Sequence, residues 1–341
     1  MTGVAGGALA AAVHRAGAAG FIGAGHKPLD DLVQEVGKAR EVLGLNNEEA
    51  LPLGIGLVLF RFESPYLSTS SAEITAAGDA FLRYVLFVAR ARSFWMSFAY
   101  SGADGLEEWV RRVRTMEREG PKAGQLEEKE RAERLRLWVM VQTEEMGKRA
   151  REWDVDAVVA QGTESGGHGP TSSAGLPSSI LFSRLSPLYP RDSAPFLLSA
   201  GGLSSPSSVA SALSSGAAAA VSGTAFTVAS ESLLPSRQKD LLIRAQSGAE
   251  TVRGVKLDIA RDGGKNYWPP GYCDGRGLKS LTTADADAGA TDQELAARYK
   301  QAVEEKDVER LITWAGTGVG DVDAIRPANE IVQRLTSEVR A

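Results

Sequence analysis

The chain has 341 residues, a formal net charge of −5 and one cysteine. The single cysteine excludes an internal disulfide and cysteine-based zinc sites, and the three histidines argue against a metal cluster. The acidic balance argues against nucleic acid as a partner, and no apolar run reaches the ~20 residues that span a bilayer. We therefore expect an intracellular, cytoplasmic protein without metal, nucleic-acid or membrane partners.

The order of predicted elements indicates the fold. In chain order the sequence predicts a helix over 6–16, strand 20–25, helix 28–43, strand 51–60, helix 71–92, strand 94–99, helix 105–118, strand 135–142, a helix capped by Thr143, strand 155–160, helix 178–188, strand 195–200, a helix from Pro206 to Gly216 and strand 217–221. The strands are apolar without alternation, which is typical of a parallel sheet covered by helices on both faces.

This alternation favours a TIM (β/α)8-type barrel that lacks its first strand at the N-terminus, because the first visible element is a helix. A doubly wound sheet is the alternative. It would prefer a GxGxxG turn after its first strand, and the glycines of residues 20–25 (GFIGAG) have the wrong spacing for that turn.

The loop after strand 155–160 contains the first candidate functional residue. Gly162, Gly166, Gly167 and His168 follow the end of this strand, which is where barrels place their sites. Glycines let backbone N–H groups approach a ligand, and histidine moves protons near neutral pH. The alternative is a tight turn with a structural histidine.

The next two strands end in a second candidate site. Gly201-Gly202 and Gly223-Thr224 follow strands 195–200 and 217–221, which would be the last two of a barrel. The loops after those strands commonly bind phosphate in this fold. Backbone amides with the hydroxyls of Ser222 and Thr224 could hold a phosphate there without Lys or Arg.

These residues match a known family. The run from Asp156 to Gly169 (DAVVAQGTESGGHG) resembles the signature of nitronate monooxygenases, formerly called 2-nitropropane dioxygenases. Further segments agree in order, namely LAAAVHRAGAAGFIGAG, LPLGIGLVLF, WMSFAYS, SAGGLSS, VSGTAF, WPPGYCDGRGL and ITWAGTGVGDV. The resemblance spans nearly the whole chain and is to fungal members of the family.

The resemblance implies a single FMN-binding barrel domain over 1–341, with a charged, solvated insertion at about 117–134 and a Gly/Pro-rich excursion at about 263–280. It implies that nitronates such as propionate 3-nitronate, or nitroalkanes, are oxidised with O2 to a carbonyl compound and nitrite. The cofactor-binding residues it implies are Met1, Gly56, Gln161, Gly162, Gly166, Gly167, Gly201, Gly202, Val221, Ser222, Gly223 and Thr224.

Among the side chains, the resemblance makes His168 the base that takes the α-proton of a nitroalkane, or the group that orients a nitronate. It places Ser97 near the substrate, although a strand serine bonded to backbone is an equal alternative. Tyr272 and Arg276 are expected in a surface loop, with a place at the pocket border as the alternative. His14 and His26 are expected on a helix surface and in a loop.

Two other functions remain open at this point. A related flavin barrel of the enoyl-acyl-carrier-protein reductase kind would require a pyridine nucleotide and an acyl pocket. An inactive, truncated paralogue with impaired FMN binding is the other alternative, because a barrel without its first strand exposes two unpaired edges. The chain begins at the Met that aligns with the end of that strand, so Met1 is the candidate for its contact with the flavin.

Overall fold

A computed structural model describes residues 1–25, 27–63, 71–122, 128–130, 132–171, 174–269, 271–272 and 274–339. The strands are β1 (Phe21–Gly25), β2 (Gly54–Val58), β3 (Ser93–Ser97), β4 (Arg136–Val141), β5 (Ala157–Gln161), β6 (Gly167–Gly169), β7 (Phe196–Ala200), β8 (Ala220–Val221), β9 (Thr251–Gly254) and β10 (Asp274–Leu278). The helices are α1 (Gly7–Arg15), α2 (Leu29–Leu43), α3 (Ser71–Arg83), α4 (Ala103–Glu119), α5 (Glu144–Ala150), α6 (Ser178–Leu185), α7 (Pro206–Ser214), α8 (Thr224–Thr227), α9 (Ser236–Arg244), α10 (Lys256–Arg261), α11 (Leu281–Asp287), α12 (Asp292–Glu305) and α13 (Ala328–Thr336).

Seven strands form one curled parallel sheet in the order β1-β2-β3-β4-β5-β7-β8. In its centre Val158 of β5 lies opposite Val139 of β4 and Leu197 of β7, and all three side chains are buried. Strands apolar on both faces suit this position, because helices cover one face and the barrel interior the other. The architecture confirms the predicted TIM-barrel-type fold that lacks one strand.

The amino-terminal residues lie against β1, which is one edge of this sheet. The N–H of Gly23 donates to the carbonyl of Ala5 at 2.8 Å. A side chain at Gly23 would begin 2.7 Å from the carbonyl oxygen of Met1, so glycine is needed for this close approach. Part of the hydrogen-bonding capacity of the edge strand is thereby satisfied within the chain.

A second sheet stands beside the first and was not predicted. It is antiparallel, with the order β6-β10-β9, and it places His168 opposite Gly275. Its central strand β10 lies in the Gly/Pro-rich segment 263–280, for which the sequence suggested only an excursion. The sequence of β10 is Asp-Gly-Arg-Gly-Leu, and most of these residues have low β-propensity. The strand is stabilised instead by pairing with β6 on one side and β9 on the other.

Several predicted elements are shorter in the structure. Strand 51–60 is reduced to β2 because the chain leaves the sheet at Leu59–Phe62 in a 3-10 turn, where the Phe60 N–H donates to the Phe98 carbonyl at 2.8 Å. Helix 71–92 is α-helical only as far as Arg83 and continues as a π-helical turn over Tyr84–Val88. The predicted cap is present: the Thr143 hydroxyl accepts from the Met146 N–H at 3.2 Å.

The charged segment 117–134 is less solvated than predicted. Residues 123–127 and 131 lie outside the described part, but Glu128 forms an ion pair with Arg83 at 2.5 Å, with 5% and 8% of their side chains exposed. Glu117 pairs with Arg114 at 2.8 Å. The prediction of a wholly solvated segment was wrong for these residues, because each carboxylate neutralises a buried arginine that would otherwise be costly.

Within the described residues, every helix is too short or too polar to cross a bilayer.

Candidate active site

His168 lies in β6, just beyond the carboxyl end of β5, and is held by its neighbours in the second sheet. The residue is 8% exposed. Opposite it, a side chain at Gly275 would begin 2.6 Å from the Trp314 ring and 3.4 Å from Nε2 of His168. Glycine at 275 therefore leaves the room that both rings occupy.

Two tryptophans fix the plane of the His168 ring. Trp268 stacks on the imidazole with ring centroids 3.5 Å apart and planes 12° apart. Trp314 meets the imidazole edge-on, with centroids 4.9 Å apart. These contacts restrict the ring to one orientation and remove water from its faces, which disfavours the protonated form.

Asp258 of α10 determines which nitrogen of His168 can act as a base. Its Oδ2 lies 2.8 Å from Nε2, and its Oδ1 accepts from Arg261 at 2.8 Å. A carboxylate can only accept, so Nε2 of His168 carries the proton and Nδ1 keeps the lone pair. Burial lowers the pKa of His168 below its usual value, while the hydrogen bond and charge of Asp258 oppose that shift. In this arrangement Nδ1 is the ring nitrogen of His168 that is left to accept a proton.

The candidate phosphate loops meet the loop that contains His168. A side chain at Gly201 would begin 3.0 Å from the Ser165 hydroxyl, and one at Gly202 would begin 3.4 Å from Cβ of Glu164. On the other side, the N–H of Gly316 donates to the Thr224 hydroxyl at 2.9 Å. The loops after β5, β7 and β8 thus form one continuous surface at the carboxyl edge of the sheet.

This surface has the features of a cradle for an anionic cofactor. The Ser222 hydroxyl is buried and has no hydrogen-bond partner, which leaves a donor for an outside acceptor. Gly201 and Gly202 have φ values of +123° and +72°, a conformation that side chains disfavour. Both are partly exposed and follow Ala200, whose strand partner Val221 precedes Ser222, so the residues present fit a phosphate group.

Some predicted cofactor residues have a clear packing role. A side chain at Gly162 would begin 2.2 Å from the Ser178 nitrogen, and one at Gly166 would begin 2.7 Å from the backbone at Ala315 and Gly316. Glycine is required at both positions for chain packing, whatever else they do. Gly167 differs, since its φ is +76° and a side chain would meet nothing within 4 Å.

The remaining predicted cofactor residues within the strands and after β8 are partly exposed. Gln161 at the end of β5 accepts from the Gln142 amide at 2.5 Å. Gly56 in β2 is half-buried, as are Val221 and Gly223. A side chain at Gly223 would begin 3.5 Å from Sδ of Met1, so Met1 reaches the loop after β8.

Three secondary candidates, Ser97, Tyr272 and Arg276, are buried or half-buried. The Ser97 hydroxyl donates to the Leu57 carbonyl at 3.1 Å, which is the backbone-bonded alternative. Tyr272 was expected on the surface, and this was wrong: it is 4% exposed, its ring meets that of Phe98, and burial raises its pKa to about 12. Arg276 is also half-buried, and its Nε donates to the Thr163 carbonyl at 2.9 Å.

Of the two remaining histidines, His14 is half-buried in α1, and His26 lies outside the described residues, as does Cys273.

Sequence reasoning missed Asp258, Trp268 and Trp314 as partners of His168. Trp268 and Trp314 belong to the segments WPPGYCDGRGL and ITWAGTGVGDV, whose agreement with the family was the available signal. Asp258 lies 90 residues from His168 along the chain, and nothing near it in the sequence distinguishes it.

The comparisons with known proteins give the class of this barrel, a flavin-dependent oxidoreductase. The family model for nitronate monooxygenase matches residues 112–338, and the chain belongs to this family of flavin-dependent oxidoreductases. A nitronate monooxygenase of Neurospora crassa is 30% identical over 351 residues, covering 99% of this chain and 86% of that protein. Nitronate monooxygenase npaC of Metarhizium robertsii is 27% identical, covering 98% of this chain and 87% of that protein.

Two solved structures are similar in fold. Nitroalkane oxidase from Streptomyces ansochromogenes aligns with a TM-score of 0.71 at 22% identity, covering 99% of this chain and 93% of that chain. FabK from Thermotoga maritima aligns with a TM-score of 0.67 at 20% identity, covering 99% and 90%. These likenesses concern the fold alone.

Proposed function

We propose that the protein is an FMN-dependent enzyme that oxidises alkyl nitronates, such as propionate 3-nitronate, with O2 to a carbonyl compound and nitrite. The observation that carries the proposal is the pair His168–Asp258, which presents a neutral nitrogen, Nδ1, next to a cradle suited to a phosphate. The names of the fungal relatives support the same reaction class.

The residues have distinct roles in this proposal. The Ser222 hydroxyl and the backbone at Gly201, Gly202 and Gly223 would hold the phosphate of FMN, with Thr224 at their side. When bound, FMN would supply the electron acceptor for the nitronate and the site of reaction with O2. His168 would take the α-proton of a neutral nitroalkane through Nδ1, or orient a nitronate that has no proton to lose.

The first test is the visible absorption spectrum of the purified protein, before and after anaerobic addition of propionate 3-nitronate. We expect flavin absorption that changes on addition of the nitronate, and O2 consumption with nitrite release when air is admitted. A colourless protein that FMN cannot reconstitute contradicts the proposal. If NADH reduces the bound flavin and a nitronate does not, the result favours the enoyl-reductase type of activity instead.

Replacement of Ser222 by alanine tests the cradle. The hydroxyl is buried without a partner, so its removal should cost the folded apoprotein little. We expect the Kd for FMN to rise about tenfold, because one hydrogen bond to a charged phosphate is lost. Fluorescence titration of the apoprotein with FMN measures this change.

The matched control is Ser215→Ala, a serine outside the cradle whose hydroxyl donates to Ser211 one helical turn away. Its Kd for FMN should equal that of the unchanged protein. Equal affinities for all three proteins would remove Ser222 from the phosphate site.

A further inference from the structure

Two buried N–H donors beside His168 have no partner. Nε of Arg61 and Nε1 of Trp268 are both shielded from solvent and make no hydrogen bond within the described structure. Leaving such a donor unsatisfied destabilises the folded protein, so a native structure rarely keeps one without a use.

The two donors belong to one cluster. The Arg61 guanidinium lies 5.1 Å from the centroid of the Phe60 ring, and the Trp268 ring centroid lies 4.8 Å from the same ring. Phe60 follows the carboxyl end of β2, which is the edge of the sheet where His168 lies, and Trp268 stacks directly on His168. Trp268 therefore contacts the candidate base directly, and Arg61 belongs to the same cluster through Phe60.

The acidic groups nearby are engaged by other residues. Asp258 binds His168 and Arg261, and Asp262 accepts from Nε of Arg261 at 2.7 Å. No ion pair to Arg61 is present in the described part of the chain, although its Nε is buried. The charges of Asp262 and Asp258 reach Arg61 without an ion pair to it, so its guanidinium keeps the capacity to bind a further anion.

We infer that Arg61 and Trp268 bind the oxygens of the substrate's nitro or nitronate group. This assignment of the ligand rests on the proposed function. When Nδ1 of His168 takes the α-proton of a nitroalkane, the C–H electron pair moves onto the nitro group and its oxygens become anionic. N–H donors placed at those oxygens stabilise that charge as it develops, and they bind a preformed nitronate in the same way.

Nitrate tests the inference without turnover, because it is a planar anion with the oxygen geometry of a nitro group and contains no carbon to oxidise. Its Kd is measured by calorimetry on the flavin-loaded protein and on the variants Arg61→Met and Trp268→Phe. Each variant removes one donor while keeping most of the side-chain volume. We expect each to raise the Kd for nitrate, and the KM for a nitronate, about tenfold.

Matched controls exist at other places in the fold. Nε of Arg90 is also buried and unpartnered, but Arg90 lies before β3, at the opposite edge of the sheet. Trp138 of β4 packs against Phe21 at 4.9 Å. Arg90→Met and Trp138→Phe should bind nitrate like the unchanged protein. Melting temperature and flavin content report whether each variant is folded. Arg61→Lys keeps the charge but not the Nε donor, and it provides a second variant at that position.

The outcomes separate this inference from the proposed function. Nitrate binding that is unchanged in folded Arg61 and Trp268 variants, or absent from the unchanged protein, overturns the inference even if nitronates are oxidised. Nitrate binding that depends on both residues in a protein that does not oxidise nitronates supports the anion site and contradicts the proposed function.

Discussion

Replacement of His168 by asparagine is expected to lower kcat/KM for a neutral nitroalkane about 100- to 10,000-fold, the usual contribution of a general base. Asparagine keeps a polar group near the ring position between Trp268 and Trp314 but cannot accept a proton from carbon. A nitronate has already lost that proton, so its turnover should fall far less. Oxygen consumption with nitroethane and with its nitronate measures the two rates.

Flavin content is the first control in this experiment, since His168 lies outside the cradle formed by Ser222 and its neighbouring glycines. His14→Asn is the matched substitution, because His14 lies in α1, far along the chain from the site. An equal loss on nitroalkane and nitronate would contradict the role of His168 as a base and leave only a role in binding.

Asp258→Asn is expected to lower nitroalkane turnover about 100-fold at alkaline pH and to move its acid limb to lower pH. The carboxylate holds the proton on Nε2 and stabilises the imidazolium that forms when Nδ1 takes the α-proton, and a neutral amide does both poorly. Since the charge of Asp258 raises the pKa of His168, its removal lets burial lower that pKa further. The pH profile of kcat/KM measures both effects.

The direction of the pH effect follows from which form is active. Proton abstraction needs neutral His168, so activity is lost as pH falls through its pKa, which burial places below the usual histidine value. Asp262→Asn is the matched control, because Asp262 pairs with Arg261 and its charge raises the pKa of His168 less than Asp258 does, so its acid limb should move less. An acid limb that moves to higher pH in Asp258→Asn, or a plateau equal to that of the unchanged protein, contradicts this assignment.

The sheet was predictable because its strands are marked by composition. Segments such as LWVMV (137–141) and AVVA (157–160) are apolar throughout, and a position buried on both faces admits little else. The short strand β8 shows the limit of that signal: five residues were predicted and only Ala220 and Val221 form the strand, although the Ala218 N–H still donates to the Leu197 carbonyl at 2.9 Å.

The environment of His168 could not be predicted, for a different physical reason. Its partners come from α10, from the segment before β10 and from the segment that contains Trp314, and only the antiparallel sheet brings them together. β10 has few of the residues that favour strands, so its composition does not mark that sheet. From the sequence alone, Gly275 would be taken for a turn residue. In the structure it leaves room for the rings of His168 and Trp314.

The strand order of the parallel sheet has a consequence for how the protein folds. Each strand pairs with the parallel strand that precedes it in the chain, so every addition closes a loop of roughly one βα unit. The entropy lost at each step is similar, and none of these strand pairings joins the two ends of the sequence. The sheet can therefore grow from its amino-terminal edge while the chain is still being synthesised. The His168 environment, which needs residues as far along as Trp314, is completed last.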